Sequence, residues 1–514
     1  MQIPFCGPTY SGRSTNIDPS RSINFFPEVA PTNDNKAQIA LIGTPGAHTF
    51  LEFSGGSIRL SRVVNGRCFV IAGSALYEVY NNGTYSSAIG TFPTTTGRVA
   101  STDNNHQLLL ITGNKGYICD TTPVFPTLVE ITDGNFPLYP RHAEVVDNYF
   151  IVTDESNKFY VSELDNGLVW PPLAFASVVS TPGNIKRAIF THQQVIFIKE
   201  FSSQFWYNAG IPTTSGSPFL PVSGSVFDFG TSAPWSVAGG NGAVFFLANT
   251  RTQDGGSPAG IAMLIGGTPQ IISPPAINYT ISHFSTITDA FGYCYVMDGH
   301  SFYVLTFPTE DRTFVFDSTT GLFHEWSSIQ SGQYRVHRHL SDTYTYFSGK
   351  HIIGHFNEPR LMELSSEFYD EDDTPIASIR IAQPVFDRGE LSSKGIIKLV
   401  IDIESGVGLT GTQPIGSIYY ADGTILADGT GYAGSANDKL PGNSDPMAWL
   451  SWSKDGGHTW SNDYPCSMGK KGEYNKRLVW RRLGFARSKI FRLKMVNSVK
   501  KVVLGAYIND GVVN

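Results

Sequence analysis

The chain has 514 residues, with 37 Lys and Arg against 44 Asp and Glu for a formal net charge of −7. Charged residues make up 16% and aromatic residues 13%, with 52 Gly and 30 Pro, which is the profile of many short strands joined by turns. This balance argues against a duplex binder with a broad positive face. Pro or Gly interrupts almost every window that could sustain a 3.6-residue period, so long amphipathic helices are not expected, and no run of eighteen apolar residues exists to cross a membrane as a helix.

Residues 1–50 are rich in Pro, Ser and Asn, with rigid or turning points at Phe25-Phe26-Pro27 and Thr44-Pro45-Gly46. They read as an extended arm lying on the rest of the protein. Met1-Gln2-Ile3-Pro4-Phe5 has neither a basic start nor an apolar signal core, so maturation in a cytoplasm is expected. The five cysteines are far apart and never in a Cys-x-x-Cys pair, which encodes neither a disulfide framework nor a zinc site.

From 51 to 360 one pattern keeps returning: a polar turn, a run of aromatic and β-branched residues, a second turn, another run. These hairpins start near Asn65, Asn105, Asn148, Gln194, Gly242, Gly292 and Thr343, about 40 to 51 residues apart, which is the spacing of a four-stranded propeller blade. The clearest unit places strands on either side of Asp298-Gly299-His300-Ser301 and then two more around Asp317 to Gly321. The expected fold is all-β: a β-propeller of six or seven blade-like units, preceded by the arm and followed by a C-terminal β-sandwich-like domain over 361–514.

The C-terminal domain opens with an acidic run, Glu367 to Asp373, read as a solvated loop because it lacks the alternating ligands and fixed Gly of a calcium loop. A Gly-rich insertion at about 405–446 reads as a long loop or β-arm on an assembly surface. Strands resume at Trp449-Leu450-Ser451-Trp452, Leu478-Val479-Trp480, Phe491 to Val496 and Val502 to Ile508. Phe491 to Val496 alternates apolar with basic residues, as a half-exposed sheet does. Residues 470–501 carry twelve Lys or Arg against the single acid Glu473, a basic cap on an acidic body.

Motifs for chemistry are sparse. Ser453-Lys454-Asp455-Gly456-Gly457-His458-Thr459-Trp460 fits the Asp-box pattern, whose residues suit a tight structural hairpin. His337 and His339 share a strand face without a visible third ligand, and His351 and His355 stand too far apart on a strand to chelate. Phosphate loops, nucleophile elbows and His-Glu-x-x-His helices are absent from the sequence. No catalytic, cofactor or metal residue is assigned.

Tyr474-Asn475-Lys476-Arg477-Leu478-Val479-Trp480-Arg481-Arg482-Leu483-Gly484-Phe485-Ala486-Arg487, followed by Phe491-Arg492-Leu493-Lys494, resembles the packaged-DNA stabilisation proteins of short-tailed bacteriophages, which form the tail hub or nozzle. An arm ending in a Pro-Gly such as Pro45-Gly46 and a middle of propeller-like hairpins agree with that resemblance. The chain departs from the family in its longer 405–446 segment and in the Asp-box. The resemblance implies a non-enzymatic ring, typically of six copies, below the portal and adaptor rings. It implies contacts with the adaptor, with a needle or plug, and with spikes or fibres. It further implies that double-stranded DNA passes through without sequence-specific binding, and it requires no cofactor. Lys476, Arg477, Arg481, Arg482 and Arg487 are the candidates for an assembly interface. The alternatives are a receptor-binding propeller adhesin and a sialidase-like glycoside hydrolase.

Overall fold

The computed structural model describes residues 1–30, 38–252, 255–329, 336–386, 394–406 and 445–511, together with the backbone of four two-residue strands between 413 and 440. The 405–446 insertion therefore lies mostly outside the described residues.

Among the described residues, seven four-stranded antiparallel units follow one another. Six are meanders, at 58–91, 100–130, 142–177, 185–227, 238–271 and 291–326. The turn chemistry explains why the chain reverses where it does. In six of the seven units the first two strands are joined by two residues that both have positive φ: Asn65-Gly66, Asp147-Asn148, His192-Gln193, Asn241-Gly242, Asp298-Gly299 and Ser348-Gly349. This is the type I′ geometry whose twist matches that of the paired strands. Each blade then buries both faces against its neighbours, as where Phe69, Ile71, Leu108 and Leu110 pack between the first and second.

The seventh blade closes the ring. Its first three strands are Ser341–Phe347, Lys350–His355 and Arg360–Ser365, and its outermost strand is Gly46–Glu52 from the start of the chain. A few residues later the same segment enters the first blade, so Leu51, Phe53 and Ile58 pack with Ile352 and Leu361 across the closure. The acidic run proves to be the clasp on this strand, contrary to the solvated loop expected. The Asp372 carboxylate accepts the Thr49 N–H at 2.7 Å and pairs with Arg360, and Asp370 meets His48 Nε2 at 2.6 Å. Ser328 Oγ donates to Glu371 at 2.7 Å, and burial pushes that carboxyl up to about 8. The physical reason is that the closing strand brings its own polar groups to this rim, and they need acidic partners in place of water.

Gly46 sits where the clasp presses closest. A Cβ there would come 2.4 Å from the Asp370 carbonyl oxygen and 2.8 Å from the Phe368 carbonyl group, both backbone atoms. Gly46→Ala is accordingly expected to destabilise the protein by roughly 1–3 kcal/mol through overpacking. Denaturant unfolding checks this; a midpoint equal to that of the parent chain would show that closure does not depend on the fit.

The C-terminal part is a β-sandwich. One sheet orders Phe25–Val29, Ile39–Gly43, Val502–Gly511, Lys394–Ile403 and Leu478–Arg481. The other orders Arg21–Ile23, Ser378–Ile381, Ser488–Met495, Met447–Ser453 and Tyr464–Ser467. Their inner faces meet over Phe25, Leu399, Leu450, Trp480, Phe491 and Val503. The extended N-terminal segment is thus woven through sandwich and propeller alike, supplying strands to both.

Sandwich and propeller share a sheet. Ile23 pairs in parallel with Glu325, the penultimate residue of the sixth blade's last strand, Leu322–Trp326. At this seam Arg21 grips Glu325 with two bonds of 2.9 and 2.7 Å, and Arg312 adds a third at 2.6 Å. Asn24 stitches beside it, donating to the carbonyls of Ser327 and Ala377 and accepting the Ser327 N–H.

Strand Ser488–Met495 differs from its half-exposed expectation. Arg492 and Lys494 are 2% and 0% exposed, because this strand lies in the middle of its sheet and the Asp-box loop folds over its outer face. Trp460 lies 4.2 Å from the Arg492 guanidinium, and Lys494 meets Asp463 at 2.8 Å.

Candidate assembly interface

The basic C-terminal stretch divides by what each cation touches. Lys489, Arg492, Lys494 and Lys501 are buried and serve the fold; Lys489 donates to the carbonyls of Leu483 and Gly484, and Lys501 to that of Ile376. Lys500 pairs with Glu404 at 2.8 Å, while Lys476 and Arg477 stand 3.6 Å from Glu473 and Asp402. Arg481, Arg482 and Arg487 are exposed and have no ion pair among the described residues.

Local structure holds these three together. In strand Leu478–Arg481 the alternation sends Leu478 and Trp480 into the sandwich core and Arg481 outward. Arg482 has φ +61°, and its N–H bonds the Ile397 carbonyl at 2.7 Å, so the chain kinks there before strand Phe485–Ala486. Phe485 lies across Gly395, where any Cβ would come 2.6 Å from its ring. Phe485 and its neighbour Ile397 are 58% and 52% exposed.

A fourth cation was not among the sequence candidates. Lys398 is the cross-strand partner of Arg481 on the outer face. Two like charges directly opposite one another are unfavourable unless something answers them. The sequence signal was an outward lysine in a Lys-Gly-Ile-Ile-Lys strand, but its pairing with Arg481 depends on a register between segments some 80 residues apart. The resulting edge sets Lys398, Arg481, Arg482 and Arg487 around Ile397 and Phe485. Lys476 and Arg477 fall at the other end of the strand, roughly 13 Å from Arg481 at 3.3 Å per residue, and do not join it.

The remaining polar features are occupied with one another. In the Asp-box, Asp455 accepts from the Ser453 hydroxyl and from Thr459, holding its carboxyl well below the usual range. His337 meets Asp311 at 2.7 Å, and His339 packs 4.4 Å from the Trp326 ring and bonds Ser341. A cavity of about 790 Å³ opens between the blades, lined by Arg98, Arg141, His142, Lys186, Trp235 and Asp289 among others. Its charged groups are largely paired: Arg98 with Asp342 at 2.8 Å, and Arg141 with Glu155. His142 Nδ1 faces Arg187 Nη1 at 2.7 Å and must accept, so the ring is neutral; burial and then Arg187 push its pKa well down.

The fold is thus a closed propeller sharing a sheet with a β-sandwich, and on one outer edge it gathers cations that have no ion pair among the described residues. Residues 1–369 match the family model described as bacteriophage P22 Gp10, beta-propeller, and residues 431–510 match bacteriophage P22 Gp10, beta-sandwich. The chain belongs to this family of phage packaged-DNA stabilisation proteins, which are structural components of the virion tail. No curated protein sequence matches it. Among solved structures it is similar to the N-terminal domain of Nup159, at 12% identity and a TM-score of 0.37 over 67% of this chain and 99% of that one. It is also similar to virginiamycin B lyase from Staphylococcus aureus, at 11% identity and a TM-score of 0.38 over 66% and 99%. The Neurospora crassa Pan2 WD40 domain gives 8% identity and a TM-score of 0.39 over 60% and 89%. Similarities this distant carry no functional argument.

Proposed function

We propose that this chain is the subunit of the tail hub, or nozzle: a ring, of six copies as the family resemblance implies, that continues the DNA channel below the portal and adaptor. In this reading the ring retains packaged DNA and takes part in genome ejection. It contacts the adaptor ring above, a needle or plug within, and spikes or fibres nearby. It is assembled in the host cytoplasm and has no enzymatic role.

The observation that carries the proposal is the edge of half-buried Lys398 and exposed Arg481, Arg482 and Arg487, four cations that have no ion pair among the described residues. Stiffness supports it as well, since the sheet shared across Ile23 and Glu325 keeps sandwich and propeller from hinging. Outside 470–501 the chain is about −18, which disfavours a grip on phosphate by the rest of the wall. Reversing charge in Arg481→Glu, Arg482→Glu and Arg487→Glu together is expected to reduce incorporation into particles at least tenfold, with loss of packaged DNA. Normal incorporation with full DNA retention would count decisively against the role.

A further inference from the structure

Outside the basic edge, exposed apolar side chains are most frequent on two neighbouring blades. Of 29 large apolar side chains exposed among the described residues, eleven fall between 124 and 179, on the second and third blades. Val124 and Phe125, 81% and 83% exposed, stand on the loop after the third strand of blade two, Lys115–Asp120. Leu164, Leu168, Val169 and Leu173 stand on the corresponding loop of blade three, after Lys158–Val161. Each loop follows the third strand of its meander, so both leave the same end of the propeller.

This rim is ordered by its own contacts. The Gly167 N–H donates to Gln107 Oε1 of blade two at 2.8 Å, and Trp170 is buried between the blades against Phe136, with rings 5.0 Å apart. A concentration of this kind on an otherwise polar surface marks an interaction site. The rim is also acidic. Residues 120–180 hold nine Asp or Glu against Arg141 and Lys158 alone. Glu163 and Asp165, on either side of Leu164, are exposed and have no ion pair among the described residues.

Rim and basic edge are different surfaces of the molecule. The sandwich joins the propeller at blades six and seven, and in a ring of seven, blades two and three are nearly across the axis from that seam. Within its sheet, Leu478–Arg481 is the edge strand, at the far end from Phe25–Val29, whose Phe26 packs on His300 and Phe302 of blade six. A surface that complements a different surface of the same molecule makes head-to-tail contacts, which close into rings when the rotation allows.

We propose that the rim of blades two and three is the docking surface for the Lys398, Arg481, Arg482 and Arg487 edge of a second copy of this chain. The inference rests on the ring reading above and names the contact that builds the ring. Phe125 and Leu168 meet Phe485 and Ile397, and Glu163 and Asp165 answer the cations that the edge leaves unpaired. Charge complementarity of this kind fixes the register and rejects edge-to-edge or rim-to-rim pairing.

Two variants of the full chain test it by native mass spectrometry: Phe125→Asp with Leu168→Asp on the rim, and Arg481→Glu with Arg482→Glu on the edge. The parent chain is expected to self-associate, and each variant alone to remain monomeric. Their equimolar mixture is expected to stop at a heterodimer, because each supplies the one surface the other lacks. A third chain combining Arg481→Glu and Arg482→Glu with Glu163→Arg and Asp165→Arg is expected to regain association. This chain alters only exposed side chains, so it decides the matter should the rim variant misfold. Variants that associate like the parent, a mixture that stays monomeric, or a charge-swapped chain that does not recover each overturn the contact while leaving the ring standing. A parent chain that never self-associates overturns contact and ring together.

Discussion

Glu325→Ala is expected to cost about 3–5 kcal/mol, the usual loss when one member of a buried ionic group is removed and its partners are left uncompensated. Arg21 and Arg312 both converge on this carboxylate where the sandwich sheet runs into blade six. The effect should depend on pH in a defined way. Burial pushes the Glu325 carboxyl up, but Arg21 and Arg312 outweigh it and hold the pKa at about 2, against an ordinary 4.5. A folded pKa below the unfolded one contributes stability that is full above the unfolded value and is lost as pH falls through the folded one. The gap between parent and variant should therefore be widest above pH 4.5 and narrow towards pH 2. Urea unfolding at a series of pH values measures it. A gap that stays constant would mean that the carboxylate's charge contributes nothing at the seam.

Arg380→Met should be of similar size, a loss of about 3–5 kcal/mol, for a different reason. Arg380 is 1% exposed, and its guanidinium donates to the carbonyls of Phe5, Gly7 and Pro8 and to Ser22 Oγ at 2.6 to 3.0 Å. Methionine fills the volume but leaves the Phe5 and Pro8 carbonyls near the core without a donor, while that of Gly7 keeps only the Ser22 hydroxyl. The N-terminal segment should loosen first, because these are its anchors to strand Ser378–Ile381. Limited proteolysis reads this directly: cleavage within the first 20 residues is expected to accelerate well before the propeller is attacked. Arg380→Lys, with a charge but no fork, should recover part of the loss. Equal protease resistance in parent and Met variant would show that the segment is held elsewhere.

The propeller was legible because its turns are written locally. Asn65-Gly66 and Asp298-Gly299 carry the two positive-φ residues a tight hairpin needs, and the apolar runs on either side need no distant information. The closure was not legible. Gly46–Glu52 looks like the end of an arm until its partner, Arg360–Ser365, arrives more than 300 residues later, and no local signal links the two. The same limit hid the clasp, since Asp370 and Asp372 read as solvated until His48, Thr49 and Arg360 stand beside them.

The proposed interface was half legible. Charge alone singled out residues 470–501, yet it could not tell Arg492 and Lys494, covered by Trp460 and Asp463, from Arg481 and Arg482, which face outward. Strand alternation gave the wrong answer for Phe491 to Val496 because it reports which face a side chain occupies, and not whether another loop covers that face. Lys398 and the apolar rim on blades two and three emerged only with register and exposure in hand. The proposed head-to-tail contact would join two surfaces of a stiff body, one cationic and one acidic, each with exposed apolar groups beside its charges.

The most direct test of the ring subunit reading is an image of the phage tail at a resolution that traces this chain. A closed ring of copies joined head to tail is expected, with each Arg481 to Arg487 edge seated on the Phe125 and Leu168 rim of its neighbour. A tail in which the chain occurs as isolated copies, or a ring whose neighbours meet elsewhere while that edge stays in solvent, would contradict it.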